Sequence, residues 1–352
     1  MEIVFLGLSI TSSWGNGHAT TYRSLIHALS KQGHCVRFLE RDKPWYKTNR
    51  DLPNPHFCRA ALYDSLDDLD RRFRSTVAKA DLVVVGSYVP EGIAVGSWAL
   101  EHAEGVVAFY DIDTPVTIAK LKTGNCEYIT PALIRAYNIY FSFSGGRVLD
   151  ILEKDYGSPK ALPLYCSVDP DHYYPEDLSK EYAFGYMGTY SPDRQRGLEN
   201  LLLIPAHLLP NTKFVVAGPQ YPESILWPEN VHRIDHVPPA RHRHFYNCQS
   251  ITLNLTRSDM MAAGYSPSVR LFEAAACGVP IVSDYWEGLE DFFVPDEEIL
   301  VAHTSKDIIQ YLVEFDEEHR RRIGQKAEER IHAAHTSHIR ARQLVAYALD
   351  GY

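Results

Sequence analysis

Two segments in the second half of the chain could bind an anion, and two in the first half could move a proton. Ser266-Pro267-Ser268-Val269-Arg270-Leu271-Phe272-Glu273 runs into Ala274-Ala275-Ala276-Cys277-Gly278-Val279-Pro280 and an apolar stretch beginning at Ile281. A polar turn, a short helix of small residues, a glycine stop and a buried parallel strand put Ser266, Ser268 and Arg270 at a helix N-terminus. Amide groups and the helix dipole stabilise negative charge there, so the unit suits a phosphate. Upstream, Gly188-Thr189-Tyr190-Ser191-Pro192-Asp193-Arg194-Gln195-Arg196-Gly197 follows a strand and precedes a helix at 198–203. Gly188 lets a ligand approach the backbone, and Arg196, or Arg194 in its stead, can reach phosphate oxygens.

In the first half, Gly15-Asn16-Gly17-His18 follows the first apolar run, at the carboxyl end of a strand where open α/β sheets take ligands. A histidine titrating near neutrality can accept a hydroxyl proton there, although His18 reads equally well as a cap of the following helix. Asp111 and Asp113 follow the strand ending at Tyr110, and by position both should face the same crevice, as a base or as holders of hydroxyl groups. His232, His236, His242 and His244 straddle Pro238-Pro239 without the spacing of a metal site and read as loop or surface histidines.

The elements that must position these residues are legible as periodicity. Apolar strands are predicted at 3–8, 36–39, 82–85, 106–110 and 139–143, with an amphipathic helix at 19–32 ended by Gly33. Turn formers dominate 161–175, which reads as a linker. A second series of strands follows at 182–187, 213–217, 250–255 and 279–283, and the tail 308–349 is helical. The fold class is α/β, with domains at 1–165 and 166–335 and a final segment at 336–352.

With 352 residues the chain is long enough for two ordinary cores. Hydrophobic content of 45% and charged content of 23% are those of a globular protein. No apolar run is long enough to span a membrane and no leader precedes the first strand, so the expectation is a cytoplasmic protein. Its six cysteines have no paired short spacing and are expected as thiols. A formal net charge of −10 argues against nucleic acid as a partner.

The helix, the Ala-Cys-Gly-x-Pro stop and the strand resemble the donor-binding signature of GT-B glycosyltransferases, and Glu273 matches the glutamate that holds the ribose of the nucleotide sugar there. Retaining enzymes of family four usually carry another glutamate eight residues upstream, within Glu-Gly-Phe-Gly, where this chain has Tyr265-Ser266-Pro267-Ser268. With Ser-x-Arg-x-Phe-Glu instead, the segment is similar to the CgeB-like glycosyltransferases. The resemblance implies two Rossmann-like domains whose parallel sheets face across a cleft, an N-terminal acceptor domain, a C-terminal donor domain and a last helix that crosses back. Val168-Asp169 with Tyr174-Pro175 is similar to the passage by which many such enzymes leave the first domain.

By the same resemblance, Gly188, Arg194, Arg196, Arg270, Ser266 and Ser268 would hold the diphosphate and Glu273 the ribose. The Gly15–Gly17 loop, His18, Asp111 and Asp113 would meet the acceptor. No cofactor beyond the nucleotide sugar and no metal is implied. Asp111-x-Asp113 also matches the manganese ligands of GT-A enzymes, but two α/β halves and a diphosphate site in the second favour GT-B. The second-half signature resembles retaining enzymes and the place of His18 inverting ones; retention is the expectation. Two rival readings remain. One is a nicotinamide-dependent oxidoreductase using Gly15, Gly17 and Glu40, with Thr20 where a third glycine belongs. The other is an inactive nucleotide-sugar-binding protein.

Overall fold

The computed structural model describes residues 1–14 and 17–350. They divide into two compact units, Met1–Ser167 together with the segment from Ser337 onward, and Val168–Thr336.

The first unit is a seven-stranded parallel sheet: β1 (Glu2–Gly7), β2 (Cys35–Arg41), β3 (Arg59–Tyr63), β4 (Leu82–Gly86), β5 (Val106–Asp111), β6 (Ile139–Ser142) and β7 (Ala161–Pro163). The spatial order is β3-β2-β1-β4-β5-β6-β7. All five residues of β4, Leu-Val-Val-Val-Gly, are buried, as expected of a strand covered by helices on both faces. The chain leaves β1 toward one edge and resumes at β4 toward the other, so the connections after β1 and β4 diverge and open a crevice at their carboxyl ends. Phe5, Tyr22, Phe38 and Phe141 form the core together with Ala341, Leu344 and Ala348 of the last helix, Ser337–Leu349. That helix packs on helix Gly17–Lys31, and Gln32 Nε2 donates to the His338 carbonyl at 2.9 Å.

The second unit repeats the plan with β8 (Tyr182–Met187), β9 (Phe214–Ala217), β10 (Val231–Ile234), β11 (Gln249–Asn254), β12 (Ile281–Ser283) and β13 (Leu300–Val301). The order is β10-β9-β8-β11-β12-β13, and its reversal lies between β8 and β11. The helix expected at 198–203 is a single π turn, Glu199–Leu203, between helices Pro192–Leu198 and Ile204–Leu208. Gly278, at φ +64°, stops helix Val269–Ala276. A Cβ on Gly324 would collide with the Gly278 carbonyl, so helix Glu317–Ala334 lies on this stop at backbone distance.

β3, β7, β10 and β13 are absent from the sequence prediction. β7 and β13 have three and two residues, β10 is interrupted by His232 and Arg233, and β3 is an edge strand that opens on the exposed Arg59 and has no β-branched residue. No helix among the described residues is long and apolar enough to cross a membrane.

Candidate functional site

At the reversal of the second sheet, Arg270 lies across the crevice. Its Nε donates to the carbonyl of Met187, the last residue of β8, at 2.6 Å. Its Nη1 donates to Oδ1 of Asn254, the last residue of β11, at 2.8 Å, and its guanidinium lies 5.0 Å from the Tyr186 ring centroid. Ser268 Oγ donates to the same Asn254 oxygen at 2.8 Å and makes no cap to its own helix. Ser268 therefore fixes Asn254 and leaves the first turn of helix Val269–Ala276 without a side-chain cap. Ser266 is buried and closes its own turn, Oγ to the Gly264 carbonyl at 2.8 Å. Gly188 is a glycine for want of space: a Cβ there would crowd the Tyr186 hydroxyl and the Arg270 guanidinium.

Of the two upstream arginines, Arg194 stands beside Arg270. It is half-buried, donates to the Thr189 carbonyl at 2.6 Å, and its pKa is lowered chiefly by burial, with Arg270 contributing in the same direction. Arg196, the favoured match by resemblance, is exposed; with Arg194, Asp193, Asn200, Asp284 and His303 it lines a surface depression. Residues two apart on a helix do not face each other, and it is Arg194 whose charge is felt beside Arg270.

A third guanidinium joins them unannounced by the sequence. Arg233 of β10 lies between Tyr221 and Trp227, 4.3 and 4.5 Å from their ring centroids, and donates to the carbonyls of Val216 and, at 3.0 Å, Gly218. Tyr221 in turn donates to the Gly188 carbonyl at 3.1 Å. A single arginine in Val-His-Arg-Ile carries no signal; only its aromatic partners, six and twelve residues upstream, hinted at it.

Glu273, the match to the glutamate that holds the ribose, lies in a ring of hydrogen bonds. It is 4% exposed and accepts from Tyr173 Oη at 2.9 Å and Tyr246 Oη at 3.2 Å, with His242 Nδ1 at 3.8 Å. Burial pulls the His242 pKa down, but its hydrogen bond to Glu273 and that group's charge outweigh it and hold the imidazole above its ordinary value. The far nitrogen, Nε2, lies 3.1 Å from the Val237 carbonyl. Among the described residues no group of three or more His, Cys, Asp or Glu side chains is placed to hold a metal ion.

In the first unit, Gly15 and Asn16 lie outside the described residues, and Gly17 opens helix Gly17–Lys31. His18 follows, its ring half-buried and set edge-on to Tyr88 at 5.3 Å, and burial lowers its pKa to about 4. Asp113 is half-buried and accepts from Tyr88 Oη at 3.1 Å. Asp111 does not face the crevice as expected: it is fully buried and accepts from Tyr140 Oη at 2.5 Å, Thr117 Oγ1 at 2.9 Å and the Asp113 amide at 3.2 Å. Burial pushes its pKa up to about 6 against the pull of those hydrogen bonds.

Glu40 is also fully buried. It accepts from Ser9 Oγ at 3.0 Å, the Ile10 and Thr11 amides at 2.8 and 3.1 Å, and Thr11 Oγ1 at 2.7 Å. Its oxygens are spent on shaping the loop after β1, and the carboxylate that a nicotinamide dinucleotide would need is not on offer.

Residues 194–346 match the family described as glycosyl transferase-like. No curated protein sequence matches the chain. Among solved structures, the chain is similar to sucrose-phosphate synthase from Thermosynechococcus elongatus (14% identity, TM-score 0.70, 99% of this chain and 98% of that one). It is similar to Anabaena HepE in complex with UDP and glucose (13%, 0.70, all of both chains). A third is an alpha-glucosyltransferase in complex with UDP-glucose and DNA containing an abasic site (14%, 0.73, 99% and 98%). The chain thus shares the GT-B fold of these structures, and its second half carries the match to the glycosyl transferase-like family.

Proposed function

We propose that this protein transfers a sugar from a nucleoside diphosphate sugar, with UDP as the first nucleotide to try, to an acceptor hydroxyl, without a metal and with retention at the anomeric carbon. The observation that carries the reading is Arg270 tied to the ends of both β8 and β11, with Arg194 beside it. The donor's diphosphate would lie against these guanidinium groups and the uncapped first turn of helix Val269–Ala276. As the glycosidic bond lengthens, negative charge accumulates on the departing diphosphate, and cations already held in place need no reorganisation to stabilise it. That supplies in side chains what a divalent ion supplies elsewhere.

The acceptor would be met by His18 and Asp113. Inversion by direct displacement needs an effective base, and a histidine with a pKa near 4 is a weak one at neutral pH; Asp111, buried among its hydrogen-bond donors, is not available. This supports retention. UDP and UDP-glucose in the complexes of structural neighbours support UDP as the nucleotide. The test is incubation with UDP-, GDP- and dTDP-sugars, with and without EDTA, following free nucleoside diphosphate and the anomeric NMR signal of the product. Turnover unaffected by chelation is expected. Binding without turnover would favour a nucleotide-sugar-binding protein, for which Tyr265 in place of the upstream glutamate is the supporting observation.

A further inference from the structure

Adjacent strands β1, β4 and β5 each deliver one side chain to the crevice of the first sheet: His18 beyond β1, Tyr88 beyond β4 and Asp113 beyond β5. Tyr88 is the middle member and touches both others. Its hydroxyl donates to Asp113 Oδ2 at 3.1 Å, and its ring meets that of His18 at 5.3 Å and 80°.

The backbone of Tyr88 is in the left-handed region, φ +60°. Non-glycine residues seldom adopt it, and such a conformation persists only where the surroundings over-determine it. Glycine or asparagine would satisfy this turn with less strain, so the turn itself does not call for tyrosine. The side chain's contacts do. Its ring packs against that of Tyr128, centroids 4.6 Å apart and planes tilted by 41°, and Lys120 Nζ lies 5.2 Å from the Tyr88 ring centroid and 5.5 Å from that of Tyr128. The Tyr128 hydroxyl is 2.8 Å from Thr117 Oγ1, which donates to the buried Asp111 at 2.9 Å. The ring is therefore held from behind by a hydrogen-bonded wall that ends on a fixed carboxylate.

We infer that Tyr88 is a positioning residue for the acceptor: its hydroxyl sets the orientation of the Asp113 carboxylate while its ring sets that of His18, so that the two meet the incoming hydroxyl as one rigid pair. The inference rests on the transferase reading above. Burial, with the charges of Asp113 and Asp111 and the hydrogen bond to Asp113 acting in the same direction, raises the Tyr88 pKa far above any working pH, which makes the group a donor to Asp113 and never a base itself.

The test uses the full chain with UDP-glucose as donor and water as the acceptor probe. Tyr88→Phe keeps the ring and removes the donor. Loss of a hydrogen bond to a charged group predicts a fall in hydrolysis of about 10- to 100-fold, with the Kd for UDP unchanged. Because Tyr88 acts through Asp113, adding Tyr88→Phe to an Asp113→Asn background should cause less than about twofold further loss, a non-additivity that two independent contributions would not give. An active wild type matched by Tyr88→Phe, or full additivity of the pair, overturns the inference alone. A fall in hydrolysis accompanied by weaker UDP binding and a lower Tm also overturns it, since Tyr88 would then serve folding. A wild type that hydrolyses no nucleotide sugar sinks the transferase reading, and this inference with it.

Discussion

Arg270 Nη1 and Asn254 Oδ1 meet at 2.8 Å at the reversal point of the second sheet, and Ser268 Oγ reaches the same oxygen from the other side. A guanidinium tied to a buried asparagine and to the Met187 carbonyl is preorganised, which is the condition under which a cation lowers a barrier to charge separation. Arg270→Ala should cost about 2–4 kcal/mol of barrier, the range for loss of one preorganised donor, seen as a fall in kcat for UDP-sugar turnover without unfolding. Arg270→Lys should recover little, since an ammonium cannot reproduce the planar fork that spans both strand ends. Full activity in either variant would remove the basis of the donor site.

The two upstream arginines should separate cleanly. Arg194→Ala is expected to weaken UDP binding by about tenfold, the scale of one charge-assisted contact, whereas Arg196→Ala, on the exposed face of the same helix, should change it by less than about twofold. Calorimetric titration with UDP decides between them, and the reverse order would return the phosphate role to Arg196.

Glu273 and His242 link stability to pH. The folded state holds His242 above its ordinary value of 6.5, so the pair's contribution is fully present below about pH 6.5 and disappears as pH rises through the folded-state value. Thermal melts of wild type and Glu273→Gln should therefore differ most at pH 5.5–6.5 and converge on the alkaline side. A gap that widens with pH would show that the imidazole is not the partner that matters.

Asp111 also makes stability fall as pH rises, the reverse of the usual effect of a hydrogen-bonded carboxylate. Its folded pKa of about 6 lies above the ordinary 3.8, so the folded state binds more protons than the unfolded one between those values. Stability then falls as pH rises through that window, by about 3 kcal/mol for a shift of this size. Asp111→Asn removes that dependence: urea midpoints of the variant should improve relative to wild type from pH 4 to pH 7. Unchanged relative midpoints would mean that the hydrogen bonds from Tyr140 and Thr117 keep the group ionised throughout.

Glu40 makes a simpler forecast. NAD and NADP at millimolar concentration should leave Tm unchanged, because a ligand bound to the folded state would raise it and the carboxylate that would hold a ribose is enclosed by Ser9, Ile10 and Thr11. A rise of several degrees would reopen the oxidoreductase reading.

The doubly wound plan was legible because the central strands of both sheets are continuous apolar runs, and helix stops such as Gly278 are marked by type. Arg270 was legible as a candidate because a basic residue opening a small-residue helix stands out by its position. What the sequence hid depends on direction. Arg194 and Arg196 differ only by their phase around a helix, and Asp111 and Asp113 only by which side of β5's end each carboxylate takes. Tyr88 gave no mark at all, since a left-handed tyrosine looks like any other tyrosine until its φ is known. Arg233 and Glu40 act through partners that loops bring to them, and no spacing rule anticipates a loop.

The first unit's hydrophobic centre is sealed by Ala341, Leu344 and Ala348, residues parted from its strands by the whole of the second unit. These strands must therefore wait, with one flank uncovered, while Val168–Thr336 is synthesised in between. Deleting helix Ser337–Leu349 would accordingly injure the first unit and spare the second, whose own residues are contiguous.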